Sequence, residues 1–456
     1  MMRISEAAQV LNGRVEGDDV VFAAVSTDTR TVRRGDLFVA LRGERFDAHQ
    51  FVEAAASAGA AAALVDAVRA SEVTRTIPIV AVDDTRAALG RLAAHWRSRF
   101  ALRLVAVTGS SGKTTVKEML ASILREAAAA AGAPAECVLA TRGNLNNDVG
   151  MPLMLLELGD AHRYAVIEMG MNHAGEIRYL AGLAAPDVAL VTNAGRAHIE
   201  FLGSEEAIAR AKGEIFEGLS ASGTAVINAD DRFAPLWREL SAGRRQIDFG
   251  LEQPAAVTGA YRLAGFESEI VLKTPAGEAP ARLPAPGVHN VRNALAAAAA
   301  AVALDIPLDV ITAGLQGFGG IKGRLQRKQG VRDAVVIDDT YNANPESTRA
   351  AIDVLAEAPG TRLLIFGDMG ELGEDAPRMH AGIGAHAKAV GIERMFTLGE
   401  HSAFASEGFG AGARHYDRME DLLEELTGTV QAGMTVLVKG SRFMRMERIV
   451  EALTCS

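Results

Sequence analysis

Lys113 sits between Gly112 and Thr114 at the end of Thr108-Gly-Ser-Ser-Gly-Lys-Thr114, an order of residue types suited to holding a polyphosphate. A turn of glycine and serine leaves several backbone N–H groups directed into one small space, at the positive end of the following helix. Gly109, Ser110, Ser111, Gly112 and Thr115 would line a nucleotide triphosphate there, Lys113 would reach its β- and γ-phosphates, and the Thr114 hydroxyl would hold Mg²⁺. The full Walker pattern asks for glycine five residues before Gly112, where Val107 stands. The flanks still fit: an apolar run at 104–107 precedes the turn, and Val116, Met119, Leu120, Ile123 and Leu124 recur at helical spacing after it. Strand, turn and helix together predict an ATP site.

Other candidates lie farther along the chain, each with two readings. Glu168 ends the apolar run Tyr164-Ala-Val-Ile-Glu168, where ATPases set a carboxylate for Mg²⁺; the alternative is a strand-end glutamate satisfied by a backbone N–H. His198, six residues past a strand end at Thr192, is either a ligand or a loop histidine without chemistry. Lys212 falls in a helical pattern over 209–216 and by itself reads as a solvated lysine. Asn290 and Asn293 open an alanine-rich stretch after Pro286-Gly287: Asn290 could cap that helix, or both amides could read a nucleobase edge. Arg324 could cross a cleft to the triphosphate and clamp two domains together. Asp338 and Asp339 either share a structural hydrogen-bond network or contact nucleotide.

The elements that must position these residues fall into three segments, all α/β. Residues 1–86 alternate short strands (37–41, 63–65, 77–82) with a helix over 48–61, and a helix over 85–100 leads onward. The segment 87–318 holds the phosphate loop and the strands 164–168 and 188–192, whose near-continuous apolar runs predict a parallel sheet covered on both faces. In 319–456, strands at 335–339, 363–368, 395–400 and 436–441 each end in a polar or glycine turn, which predicts a second, doubly wound sheet. Ligands bind such sheets at the carboxyl ends of the strands. The alanine tract at 294–303 is predicted as an ordered helix, because alanine is the best helix former and Leu295, Val302 and Leu304 give it something to bury.

Composition excludes several classes. The longest apolar run has 11 residues, against about 20 for a membrane span. The first residues lack the apolar core of a secretory signal. Only Cys137 and Cys455 occur, with no metal-site spacing, and a cytoplasmic location is expected. A net charge of −10 argues against a nucleic-acid partner.

Taken together, the motifs resemble those of the Mur ligases, the amide-forming enzymes of peptidoglycan precursor synthesis. The resemblance spans essentially the whole chain. Val25-Ser-Thr-Asp-Thr-Arg30 and the stretch 35–49 resemble the UDP-sugar domain, although Ala48 stands where relatives often have glycine. The phosphate loop and Gly143-Asn-Leu-Asn-Asn-Asp-Val-Gly150 resemble the central domain. Asp338-Asp-Thr-Tyr-Asn-Ala-Asn344, Gly367-Asp-Met-Gly-Glu-Leu-Gly373 and Leu437-Val-Lys-Gly-Ser-Arg442 resemble the C-terminal domain. The Asp-Asn-Pro-Arg signature of the sibling that adds diaminopimelate or lysine is absent. The missing first Walker glycine is usual for the family.

The resemblance implies a three-domain protein: a small mixed α/β UDP-sugar domain (1–86), a central P-loop domain (87–318) and a C-terminal Rossmann-like domain (319–456). It implies ATP and two Mg²⁺ ions, with UDP-N-acetylmuramoyl-tripeptide and D-Ala-D-Ala as substrates and a monomeric state. Lys113, Glu168, His198 and Lys212 take catalytic positions, and the last three join Thr114 around magnesium once Lys212 is carbamylated. Asn290, Asn293, Arg324 and Asp339 fall on the ATP side, and Ser26, Thr27, Asp28, Arg30, Asn144, Asn146 and Asn147 on the UDP-substrate side. The implied reaction is ATP-driven amide formation through an acyl phosphate. A related ligase of folylpolyglutamate type with another acceptor is the alternative, and the UDP-domain resemblance speaks against it.

Overall fold

The strand Arg103–Thr108 is apolar on both faces because both faces are covered. In the computed structural model, which describes all residues except 44–45, 74, 196–198 and 455–456 and leaves aside the side chains of 199 and 201, Leu104 and Ala106 join one buried cluster while Val105 and Val107 join another. The strand lies inside a six-stranded sheet of order Arg245–Phe249, Thr224–Asn228, Val188–Val191, Arg103–Thr108, Tyr164–Glu168, Val138–Ala140. All its pairings are parallel, so the strands need crossovers and their carboxyl ends share one edge. Thr108, Glu168 and Val191 end together there. One face is covered by the phosphate-loop helix Lys113–Ala130 and by Val288–Ala303, the predicted alanine-rich helix, whose alanines at 296–301 are fully buried.

The first segment forms a five-stranded sheet of order Arg14–Glu16, Ile79–Val82, Ala62–Asp66, Leu37–Val39, Val25–Ser26, parallel except for its first strand. The helix predicted over 48–61 divides into a 3₁₀ turn, Ala48–Phe51, and an α-helix, Val52–Ser57. The Asp47 carboxylate accepts from the His49 N–H at 3.0 Å, which tightens the start, and Gly59 turns the chain beyond the end. The helix predicted over 85–100 ends at Arg97; its start is capped by Asp84, which accepts from the N–H groups of Arg86 and Ala87. The buried cluster that holds Leu37, Leu64 and Val80 continues through Leu89 and Leu92 of this helix to Leu104 and Ala106. The first sheet and the central sheet therefore share one core.

Two features of the middle segment are additional to the prediction. The strands Thr224–Asn228 and Arg245–Phe249 extend the central sheet, and Thr258–Ala264, Glu267–Thr274 and Gly277–Leu283 form an antiparallel sheet beside it. Only the middle strand of that small sheet alternates clearly, with Ile270 and Leu272 buried and Glu269 and Val271 outward.

The last segment has the order Gln326–Gln329, Val335–Asp339, Met434–Lys439, Thr361–Gly367, Arg394–Leu398, Ala413–Tyr416. The four predicted strands are present at its centre. The two edges, one of them the antiparallel Gln326–Gln329, are polar and carry no apolar signature. Helices Pro345–Ala356, Ala376–Ala389 and Ser402–Phe409 cover one face, and Met419–Thr429 and Glu447–Thr454 the other, giving the doubly wound arrangement. Among the described residues no helix is long and apolar enough to cross a membrane.

Candidate active site

The glycines of the phosphate loop are required by both backbone and neighbours. Gly109 has φ +149° and Gly112 +82°. A Cβ on Gly109 would overlap the Thr192 hydroxyl, and one on Gly112 the Asn293 amide oxygen. Helix Lys113–Ala130 starts at Gly112 without a side-chain cap, which leaves its first N–H groups for an anion. Lys113 Nζ donates to the Gly109 carbonyl at 2.7 Å. The loop is braced from the neighbouring strand: the Thr192 hydroxyl donates to the Ser111 carbonyl at 2.6 Å, and the Ser111 N–H to Asn193 Oδ1 at 2.9 Å. Thr192 and Asn193 are absent from the sequence candidates, and their only signal is a polar pair just past a buried strand.

Glu168 ends its strand as predicted and is 2% exposed. Its Oε1 accepts from Asn146 Nδ2 at 2.8 Å, while Oε2 has no partner. A buried carboxylate oxygen without a donor suits a cation, and with the Thr114 hydroxyl it fits Mg²⁺, which takes one or two protein ligands plus phosphate oxygens. No three His, Cys, Asp or Glu side chains converge on a metal position among the described residues, and His198 lies outside them. Burial pushes Lys113 below the ordinary lysine value; Glu168 and Glu371 oppose that shift and Arg324 adds to it.

Lys212 departs from the solvated reading. It is 1% exposed on the helix Glu205–Gly213, and burial, helped by the Lys113 charge, holds its amine well below the ordinary lysine value. Ile208, Ile215 and Phe216, at helical spacing from Lys212 and all buried, are the signal that could have marked its face as covered.

Asn290 is not the helix cap, because Gly287 occupies that position. Its Nδ2 donates to the Pro286 carbonyl at 2.8 Å and its Oδ1 accepts from Asn293 Nδ2 at 3.2 Å, an amide pair beside the phosphate loop. His289 next to it is pushed down to about 4 by burial, with Asp339 pulling upward and Lys439 and Arg292 downward. The folded value lies below the unfolded 6.5, so as pH falls through this window the unfolded chain takes up a proton that the folded one refuses. Stability should therefore drop on going from pH 7 to 4.5 by about 2 kcal/mol more than in His289→Gln. Urea midpoints of both proteins at the two pH values measure this, and parallel losses would acquit His289.

The last segment closes over this edge. Arg324 Nη2 donates to the Thr114 hydroxyl at 2.9 Å, and its guanidinium lies 4.4 Å from the Tyr341 ring centre. Asn344 Nδ2 donates to the Ser111 hydroxyl at 3.1 Å. Asp338 is held by Lys328 at 2.8 Å and the Thr340 hydroxyl at 2.7 Å, a structural network. Asp339 accepts from Lys439 Nζ at 2.5 Å and from the Leu325 N–H at 3.1 Å, yet it also lines the cavity between the segments.

That cavity measures about 1260 Å³ and gathers residues 110–115 of the phosphate loop, Glu168, Asn290, Asn293, Arg324 and Asp339, together with Asn144, Asn146 and Asn147. Gly109 and Lys212 are not part of its lining. Nor are Ser26, which ends the edge strand Val25–Ser26 of the first sheet, and Thr27, Asp28 and Arg30 in the turn beyond it, where Arg30 Nη2 donates to Asp28 Oδ2 at 2.6 Å. Arg86 reaches the cavity instead and pairs with Asp148 at 2.6 Å.

Three family models match the chain: "Mur ligase family, catalytic domain" over residues 21–97, "Mur ligase middle domain" over 107–301, and "Mur ligase, glutamate ligase domain" over 323–442. A UDP-N-acetylmuramoyl-tripeptide–D-alanyl-D-alanine ligase of Escherichia coli K12 is 42% identical, covering 99% of this chain and 98% of the relative. A crystal structure of MurF from Acinetobacter baumannii is 38% identical with a TM-score of 0.90, covering 99% of this chain and 98% of its own. MurF ligase from Thermotoga maritima in complex with ADP is 27% identical with a TM-score of 0.82, covering 96% and 98%.

Proposed function

This chain belongs to the Mur ligase family, and from that premise we propose that it is the ATP-dependent ligase joining D-Ala-D-Ala to UDP-N-acetylmuramoyl-tripeptide. The products are UDP-N-acetylmuramoyl-pentapeptide, ADP and phosphate. Full-length similarity to a relative named for that reaction supports the acceptor. The observation that carries the nucleotide chemistry is the meeting at Thr114 of the glycine turn and Arg324 from the opposite segment, beside Glu168 with its unpartnered oxygen.

A carboxylate does not form an amide at neutral pH, because oxide is too poor a leaving group. Transfer of the γ-phosphoryl group to the terminal carboxylate of the tripeptide gives an acyl phosphate; the dipeptide amine attacks it, and phosphate leaves. Lys113 holds the β- and γ-phosphates and offsets repulsion between them and the incoming carboxylate. Arg324 reaches the same phosphates across the cavity, and the Asn290–Asn293 amides face the base. Thr114 and Glu168, with His198, would hold Mg²⁺, which when bound adds charge neutralisation at the phosphoryl group. Asn146 orients Glu168, and Asn144 and Asn147 border the region through which the UDP-substrate reaches the phosphate loop. The segments 1–86, 87–318 and 319–456 act as UDP-sugar, ATP and acceptor domains of a cytoplasmic monomer.

Lys212 acts as a carbamate. Its buried amine, biased toward the neutral form, adds to CO₂ to give R–NH–COO⁻ with release of one proton, and the anion so formed is able to support a second Mg²⁺. Lys212→Ala should lower kcat about 100-fold, with partial recovery in millimolar formate or acetate. An unmodified lysine in intact mass spectra at saturating bicarbonate, with no such recovery, would remove the carbamate.

The function itself is tested by phosphate release from Mg·ATP with UDP-N-acetylmuramoyl-tripeptide, with and without D-Ala-D-Ala, and by the product mass. Dipeptide-dependent release with a UDP-pentapeptide product supports it. Release driven by a single amino acid points to a sibling ligase, and acceptor-independent release to a plain ATPase.

A further inference from the structure

Among the described residues, Arg86 is the one member of the cavity lining that precedes the phosphate loop. It stands in the first turn of helix Thr85–Arg97, and that turn is fastened to the first sheet. The Thr85 N–H donates to Asp66 Oδ1 at 2.9 Å and its hydroxyl to the Ala40 carbonyl at 2.9 Å, at the carboxyl ends of two adjacent parallel strands. On its other side Arg86 meets Asp148, with Nε 2.6 Å from Oδ2 and Nη2 3.1 Å from Oδ1. Asp148 belongs to the loop before helix Gly150–Leu155, and that loop is fastened to the central sheet. There Asn146 holds Glu168 at the end of its strand, and the Asn146 carbonyl accepts from the Gly170 N–H at 2.8 Å. The Arg86–Asp148 pair therefore spans the carboxyl edges of both sheets, the edges at which parallel sheets bind ligands.

Resting on the UDP-substrate assigned above, we propose that Arg86 receives a carboxylate of the UDP-tripeptide other than the one that is activated. A substrate with its UDP on the first sheet and its reacting carboxyl at Lys113 must lay its peptide across this junction. The wall it crosses is acidic: between residues 144 and 180 the lining contributes Asp148, Glu168 and Glu176 and no cation. An anionic peptide needs a positive charge to offset that repulsion. The other cations of the lining are committed elsewhere. Lys439 is buried against Asp339, Arg292 pairs with Glu252, and Arg327 lies over the Phe266 ring, while Lys113 and Arg324 flank the phosphate loop. Arg86 has its partner in Asp148, but that contact takes up Nε and Nη2 alone. A guanidinium carries five N–H donors, so the Nη1 edge can take a second carboxylate in the same plane. The pair is a surface one, with side chains 52% and 37% exposed, and so contributes little to folding. What it does is hold the fork of Arg86 toward the cavity.

Arg86→Gln removes the charge at an exposed position, so the fold should stand. The KM for UDP-tripeptide should rise about tenfold, with kcat and the KM values for ATP and D-Ala-D-Ala within twofold of the parent. Arg86→Lys should recover part of the loss, because an ammonium keeps the charge but not the fork. Asp148→Asn keeps the cation and should leave the UDP-tripeptide KM within threefold. UDP alone should inhibit the parent and Arg86→Gln equally. Tripeptides with diaminopimelate and with lysine at position three separate the sources of the carboxylate. A loss confined to diaminopimelate places it on residue three, and an equal loss with both places it earlier in the peptide. An unchanged KM with both substrates overturns the assignment. So does an equal loss in Asp148→Asn, which would make the pair a loop brace, or weaker inhibition of Arg86→Gln by UDP, which would put the pyrophosphate at Arg86. Calorimetric titration with UDP-tripeptide, without ATP or dipeptide, reads the same contact. If the parent makes no UDP-pentapeptide while Arg86→Gln still binds UDP-tripeptide about tenfold more weakly, the acceptor is wrong and the role of Arg86 stands.

Discussion

Lys113→Ala should lower kcat/KM for ATP-dependent ligation about 10⁴-fold, near 5.4 kcal/mol of transition-state stabilisation, without lowering the thermal midpoint. The loss has a local cause. Lys113 is the cation at the base of the glycine turn, half-buried, where an effective dielectric near 20 makes one contact at about 4 Å worth roughly 4 kcal/mol. Its partners in the reaction carry more negative charge as the carboxylate closes on the γ-phosphate, so much of that energy appears only in the transition state. The folded protein, in contrast, gains little from the charge. Burial and Arg324 both disfavour it, and its only described hydrogen bond is to the Gly109 carbonyl. Lys113→Arg should not restore activity, because a planar guanidinium does not fit a turn built around a point charge. Coupled ADP assays and thermal unfolding of the same preparations measure both halves. Activity within tenfold of the parent would place the triphosphate elsewhere.

Glu168→Gln should cost about 10³-fold in kcat and move the Mg²⁺ requirement to higher concentration, with stability equal to or above the parent. The substitution preserves volume and the acceptor that Asn146 uses, and removes only the negative charge. Since Glu168 Oε2 is buried without a donor, the folded chain already carries the cost of desolvating it. Lifting that cost favours folding, while the cation loses a ligand. Velocity against free Mg²⁺ at fixed ATP separates this from a packing defect: a packing defect would lower the velocity at every concentration and lower the unfolding midpoint too. Unchanged Mg²⁺ dependence would remove Glu168 from the metal site.

What was legible in the sequence is what short stretches of chain decide for themselves. The phosphate loop is a strand, a glycine turn and a helix within about a dozen residues, and its chemistry follows from backbone N–H groups and one lysine. The apolar strands of the two large sheets were legible for the same reason, since a strand buried on both faces must be apolar throughout. Edge strands such as Gln326–Gln329 and Ala413–Tyr416 were not, because an exposed edge asks nothing of side-chain hydrophobicity.

Tertiary structure decided the partnerships and the burial. Lys212 reads as a surface lysine until packing closes over its helix and leaves a buried amine. Asn290 reads as a cap until Gly287 is found in that place and the amide turns to Pro286 and Asn293. Arg324 meets Thr114 across 210 residues of chain, and Asp339 meets Lys439 across 100, contacts that no local propensity encodes. Sequence spacing fixes which groups share a turn or a helix face within a few residues. Which distant charge faces which, and how much water is left between them, depends on the docking of whole sheets through their cores, and so only the folded chain determines it.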